Sequence, residues 1–392
     1  MNRVFLSILI GAFLLSSVQA SEPIRVGVSL PLTGSLAHVG EAVVIGIHSH
    51  IDQINAKGGI YGQKIQLEIM DDHYDPLKTV ANTIQLIENK KVDLLFCYVG
   101  TDPVKQILPI LKKRRAETIL LLFSYTGALS QREAPYNQYT FNLRPSYQQE
   151  AVALVEQFVK DGKHKIGVFY QMDGYGRSAH HATKEQLKSH GLKIVVDAAY
   201  PRASTYQYDY SMQARLMNED TLDAIIVVGT YEASAGFVRD LRGLGNKVPV
   251  AMISFSNSKG VLTLLEAESQ KTGIDYTKHL IFSEVVPNTI LSADLPAVVD
   301  YLSKMKAKGL VGDPIGFEGY LNARLLVEAL RRVGPDFKRE KLVAAMNSLN
   351  DYDLGIHQPI QFNTGDNQAF DRTYQYAKEN GKWRLAFPKG GQ

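Results

Sequence analysis

Ile24-Arg25-Val26-Gly27-Val28-Ser29-Leu30, then Pro31-Leu32-Thr33-Gly34-Ser35, then Val39 to Ala56: an apolar run, a turn and a stretch with helical spacing succeed one another. The same unit recurs downstream. Ile65 to Met70 is a run and Leu77 to Asn89 a helix; Val92 to Tyr98, Pro103 to Arg115 and Thr118 to Phe123 continue the alternation. Strands this continuously apolar are buried on both faces, which a parallel sheet covered by helices explains better than a half-exposed antiparallel one. The first part of the chain is therefore expected to be a doubly wound α/β lobe.

The alternation restarts after Arg144-Pro145-Ser146, with a helix from Tyr147, a strand Lys165 to Tyr170, a helix near Gly176 to Ser189 and a strand Leu192 to Ala199. It continues through helix Tyr208 to Leu216, strand Ala224 to Gly229, helix Glu232 to Leu241 and strand Val248 to Ile253. A second lobe of similar build is expected. The remainder of the chain is less regular: a strand Leu280 to Val286, helices near Leu295 to Lys308, Glu318 to Val333 and Arg339 to Leu349, then short strand-like pieces to Trp383. A length of 392 residues, 45% of them hydrophobic, suits two domains at roughly 100 to 200 residues each.

The first twenty residues differ in kind. Arg3 gives a positive start, Val4 to Leu15 is apolar, and Ser17-Val18-Gln19-Ala20 ends on small residues, the pattern of a secretory signal peptide cleaved after Ala20. That apolar core is too short to span a bilayer, so the mature chain, beginning near Ser21, is expected in a bacterial periplasm without an anchor. Charge is nearly balanced, 43 Lys+Arg against 40 Asp+Glu, which gives nucleic-acid binding no support. The single cysteine, Cys97, rules out an intrachain disulfide and any thiolate-rich metal site; it is read as a buried thiol in an apolar strand.

Several motifs admit two readings. Gly34 and Ser35 put backbone N–H groups beside a helix start, which suits an anion or is an ordinary βα turn. Asp71-Asp72-His73-Tyr74-Asp75 has the DDxxD spelling of magnesium diphosphate sites, but it follows a strand and precedes Pro76, the context of a capped turn. The pairs His48/His50 and His180/His181 diverge around a helix and are read as surface residues; no metal and no cofactor are expected. No G-x-S-x-G, P-loop, G-x-G-x-x-G after a strand or H-E-x-x-H is present, so no catalytic residue is assigned. The segments Tyr98-Val99-Gly100-Thr101 and Ser124-Tyr125-Thr126-Gly127-Ala128 end adjacent strands, where small hydroxyls and glycine converge on one crevice. Tyr175, after Asp173-Gly174, and Tyr231, after Val228-Gly229-Thr230, end strands of the second lobe and would wall the opposite side.

The opening Ile24 to Gly40, together with INAKGGIYGQKIQLEIMDDHYDP (Ile54 to Pro76), FSYTGALS (Phe123 to Ser130), FYQMDGYGRS (Phe169 to Ser178), SEVVP (Ser283 to Pro287) and FEGYLNARLLVEALRR (Phe317 to Arg332), resembles the type I periplasmic binding proteins of the leucine/isoleucine/valine-binding family. The resemblance implies two doubly wound parallel-sheet lobes joined by three crossovers. It places residues 21–143 and 280–351 in the first lobe and 144–279 and 352–392 in the second, after a signal peptide at 1–20. It implies a monomer that captures a small amino-acid-like or other carboxylate-containing ligand by lobe closure and passes it to an inner-membrane ABC permease. A sensor reporting to a regulator, or an exported two-lobed hydrolase, is the alternative. By the same resemblance Ser124 and Thr126 match turns that hold ligand carboxylate and amine, and Tyr98 stands where the relatives have a serine. Tyr175 and Tyr231 correspond to cleft tyrosines. The expected ligand set is Tyr98, Thr101, Ser124, Thr126, Tyr175, Tyr231 and Ser256. Relatives carry an acid in the turn that here reads Ile253-Ser254-Phe255-Ser256-Asn257; Glu232 and Glu284 are the candidate substitutes for pairing with an ammonium.

Overall fold

The structure, a computed structural model, describes residues 22–219, 221–362 and 367–387; the expected signal peptide lies outside them. The first lobe runs β1 (Ile24–Leu30), α1 (Ala37–Ala56), β2 (Ile65–Asp71), α2 (Pro76–Glu88), β3 (Leu94–Phe96), α3 (Thr101–Lys113), β4 (Leu121–Leu122) and β5 (Thr140–Phe141). Its strands are parallel in the order β2-β1-β3-β4-β5, a doubly wound sheet. The chain then crosses over. The second lobe runs α4 (Tyr147–Lys160), β6 (Ile166–Gln171), α5 (Gly174–Ser189), β7 (Ile194–Tyr200), α6 (Ser211–Glu219), β8 (Ala224–Val228), α7 (Tyr231–Gly243), β9 (Val250–Met252), α8 (Ser258–Thr272) and β10 (Leu280–Glu284).

After β10 the chain returns to the first lobe as α9 (Pro296–Ala307), α10 (Pro314–Val333), α11 (Arg339–Asn347) and a hairpin, β11 (Asn350–Asp353) and β12 (Pro359–Gln361). Its last strands, β13 (Tyr374–Glu379) and β14 (Lys382–Leu385), cross once more and finish the second sheet, whose order is β14-β13-β10-β9-β8-β6-β7. β13 and β14 are antiparallel to their neighbours and the other strands of that sheet are parallel. Two of the expected boundaries shift. Leu280–Glu284, assigned to the first lobe, is an inner strand of the second sheet, because an apolar run does not announce which sheet it will join. The second lobe is rejoined later than residue 352: Phe362, just past β12, stacks on Phe123 at 6.3 Å and edge-on against Phe141 at 5.3 Å, both in the first lobe.

Local chemistry fixes the helix starts that face the other lobe. Asp75 caps α2 through the Leu77 N–H, with Pro76 in the first turn, and Ser146 and Gln149 form a reciprocal capping box on α4. Asp173 and Asp313 cap α5 and α10 through the N–H groups of Gly176 and Gly316. The longest helix contact is that of α1 on α10, where the backbones nearly touch: a Cβ on Gly46 would come within 2.0 Å of the Gly316 carbonyl oxygen. Among the described residues no helix is long and apolar enough to cross a membrane.

Candidate functional site

The βα turns at the carboxyl ends of both sheets meet along one seam. From the first lobe, His38 opens α1, Tyr74 follows β2, Asp102 opens α3, and Tyr125 and Thr126 follow β4. From the second, Gly174 and Tyr175 open α5, Arg202 follows β7, Tyr231 opens α7 and Phe255 follows β9. This is where doubly wound sheets bind ligands.

Phe255 is the centre of the seam. It is 1% exposed, and its ring lies 4.7 Å from Tyr175, 5.6 Å from Tyr125 and 6.3 Å from Tyr74, centroid to centroid. Tyr147, at the start of α4, meets Tyr175 edge-on at 5.2 Å. Beside these rings the Thr101 and Thr126 hydroxyls bond each other at 2.9 Å, and Thr126 also reaches the Tyr147 hydroxyl at 3.4 Å. Tyr175 and Ser256 both donate to the Gly229 carbonyl, at 3.2 and 2.8 Å.

Charged groups flank the rings. Arg202 lies over the Tyr74 ring at 3.9 Å, pairs with Asp102 and Asp173 at 3.2 Å each, and donates to the Tyr74 carbonyl. Arg144, in the first crossover and 1% exposed, lies over Tyr125 at 4.5 Å with Glu150 at 3.8 Å and Glu318 at 3.7 Å, and donates to the Ser254 hydroxyl. Burial pushes the Glu318 carboxyl up to about 7, against the pull of Arg144. Burial also works against the Arg144 charge, but Glu318 and its neighbours outweigh it and hold the guanidinium firmly protonated. Asp173 is raised by burial, partly offset by the Gly176 N–H and Arg202.

Of the residues expected from the sequence, Thr101, Thr126, Tyr175 and Ser256 gather at the seam. Tyr231 stands at its other end, 3.8 Å from the His38 ring and donating to Glu232 at 2.7 Å. Two are placed elsewhere. The Tyr98 hydroxyl meets Thr83 at 3.1 Å in the core among Leu95, Val104 and Ile107, so Tyr98 packs beneath α2 and α3. Ser124 is buried and accepts from the amide of buried Gln131 at 2.9 Å, so its oxygen is engaged within the first lobe. The sequence reading missed Tyr74, Asp102, Phe255, Arg144, Arg202 and Glu318 as site residues. Phe255 and Arg144 lay in segments singled out for other reasons, whereas Arg202 carries no local signal.

The two-reading motifs also resolve. Asp71 accepts from the Leu32 N–H at 2.8 Å and from Thr33 at 2.6 Å, so a carboxylate of this chain already closes the Pro31–Ser35 turn. Asp72 takes Ser29, Tyr74 N–H and Thr79 and Asp75 caps α2, which makes the DDxxD segment a capped turn. Among the described residues no cluster of three or more His, Cys, Asp or Glu side chains is placed to hold a metal ion.

Two doubly wound lobes meeting strand end to strand end, with the chain crossing between them three times, define a two-lobed binding protein. The chain belongs to the periplasmic binding protein family, whose model, described as "Periplasmic binding protein", matches residues 23–382. It is 24% identical over 364 residues to the Leu/Ile/Val-binding protein homolog 8 of Brucella abortus (strain 2308), which covers 89% of this chain and 87% of that one. Among solved structures, a substrate-binding periplasmic protein from Ralstonia solanacearum is 28% identical with a TM-score of 0.81, covering 90% of this chain and 97% of its own. A possible leucine/isoleucine/valine-binding protein from Rhodopirellula baltica SH 1 is 25% identical with a TM-score of 0.83, covering 95% and 98%. Family and relatives are named for binding, and the chain is a binding protein rather than an enzyme.

Proposed function

We propose that this protein is the exported, periplasmic capture component of an ATP-driven importer, a monomer that closes its two lobes over a small organic solute and presents the closed form to a membrane permease. The seam is the ligand site. The solute's acceptor-rich head, a carboxylate, takes the Thr101–Thr126 hydroxyls and nearby N–H groups, and its apolar body lies among Tyr125, Tyr147, Tyr175 and Phe255. The observation that supports this reading is the convergence of a hydroxyl pair from the first lobe and aromatic rings from both lobes on a single buried seam. Opposed apolar walls with a few placed polar groups are what a small-molecule site requires. The names of the relatives point to amino acids, and the hydroxyl pair suits a carboxylate of that class.

Mass spectrometry of the small molecule released when natively purified protein is denatured identifies the solute. Titration calorimetry with it should show Thr126→Ala weakening binding by about 1 to 3 kcal/mol, the range for stranding a buried polar partner, and Phe255→Ala weakening it as well. Wild-type affinity in both variants would remove the seam as the site. Consumption of the solute on prolonged incubation would remove the transport role.

A further inference from the structure

The seam takes the carboxyl ends of the second sheet's parallel strands. At their amino ends β9 and β10 again lie side by side, because they are parallel neighbours. The loops that feed them, 244–249 after α7 and 273–279 after α8, border an open cavity of about 360 Å³, a volume in the range of small-molecule sites. Arg242, in the last turn of α7, lines it and is 6% exposed. Its guanidinium donates to the carbonyls of Asn246, Val248 and Lys278 at 3.1, 3.0 and 3.1 Å, tying the two loops together, while its Nε has no hydrogen-bond partner.

Among the described residues no carboxylate pairs with Arg242, and burial, with nothing to offset it, draws its pKa down to about 10. Arg144, by contrast, stands between two carboxylates. A buried charge without a counter-charge is costly. The rest of the cavity adds to the imbalance. Lys247 and Lys278 are exposed on the two loops and line it; Lys247 makes no ion pair among the described residues, and Lys278 meets Asp275 at 3.6 Å. Asp275 is the one acid of the lining, and its Oδ1 already accepts from the Thr277 N–H and hydroxyl at 3.0 and 2.7 Å. His279 also lines the cavity, and Glu379 of β13, beside it, pairs with Arg384. Three cations thus face one carboxylate, and a dianion restores the balance. A phosphate monoester carries close to that charge near neutral pH.

We propose that this cavity is a second binding site, for a phosphate monoester, in which Lys247 and Lys278 clasp the phosphate and its charge offsets that of Arg242. The site is independent of the seam. Tyr231 at the seam and Arg242 at the cavity stand at opposite ends of α7, roughly 16 Å apart along the helix axis. The phosphate can arrive on a free small molecule or on a lipid headgroup, and the two sources share the same chemistry.

The test uses the full mature protein at fixed ionic strength. Titration calorimetry should show saturable binding of glycerol 3-phosphate and none of glycerol, and the double variant Lys247→Ala/Lys278→Ala should bind the ester at least about tenfold more weakly. Lys247→Glu, a single change on an exposed loop that adds an acid to the cavity, should have the same effect and serves if the double variant folds poorly. Cosedimentation with phosphatidylcholine vesicles containing phosphatidic acid, lost in the same variants, reads the lipid source; that result without binding of glycerol 3-phosphate assigns the site to a headgroup. The inference is overturned if neither probe binds, or if the lysine variants bind like wild type. It is also overturned if the variants lose stability while no phosphate ester binds, since the cations would then serve only to neutralise the carboxyl ends of α7 and α8.

Discussion

Arg144 shows how much one side chain carries here. Its guanidinium is held between Glu150 and Glu318 with almost no access to solvent, and removing one partner of a buried ion pair costs about 3 to 5 kcal/mol because the other charge is left uncompensated. Arg144→Met should therefore lower the unfolding free energy by about that amount above pH 7, measured by urea titration. The sign with pH is set by the acids. Burial raises the folded-state carboxyl of Glu318 to about 7 and raises that of Glu150, so both take up protons as pH falls and the stranded charges vanish. The loss should be largest above pH 7 and shrink toward pH 5; an equal loss at both would show that the charges are not the cause. The sequence marked Arg144 only as a crossover, because pairing across 174 residues of chain to Glu318 leaves no local trace. Tyr98 was misplaced for a different reason. Cys97 sits at φ 51°, which breaks the strand's two-residue alternation, so spacing could not tell which face of the sheet Tyr98 would take. The seam positions of Thr126, Thr101 and Tyr175 were legible because each lies between the end of a strand and the first turn of the helix that follows.

The close approach of α1 to α10 depends on glycines. Gly46 lies against the Gly316 carbonyl, and Gly319 would put a Cβ 2.7 Å from the Val43 carbonyl oxygen. A methyl cannot enter such a contact without moving a helix. Gly46→Ala should destabilise the protein by about 1 to 3 kcal/mol, the usual cost of overpacking. Hydrogen exchange should show the loss in the first lobe; unchanged protection of α1 and α10 would mean the contact is looser than this. Most elements were legible from their periodicity, since runs of Val, Ile and Leu and helical spacing are local properties. α8 was not. Its Gly260 weakens the helical pattern near the start, and glycine is needed there because a Cβ would lie 2.8 Å from the Tyr231 ring. The place of β10 in the second sheet was hidden as well, because strand pairing is set by packing far along the chain.

Arg202 ties the two lobes together at the seam. It joins Asp173 of its own lobe to Asp102 and the Tyr74 carbonyl of the other, while the Gly174 N–H also donates to Asp102 at 3.3 Å. Arg202→Ala should shift the ligand-free protein toward an open form, read as a larger radius of gyration in small-angle scattering, with a weakened affinity for the solute and unchanged circular dichroism. Identical scattering would show that these contacts do not govern closure. The three crossings also govern the order in which the chain matures. Domains commonly fold as units during synthesis, the N-terminal one first, but here the partner helix of α1 begins at Pro314 and the outer neighbour of β10 begins at Tyr374. The first lobe cannot finish until the chain has passed through most of the second, and the second waits for β13 and β14, which are made only after every element of the first.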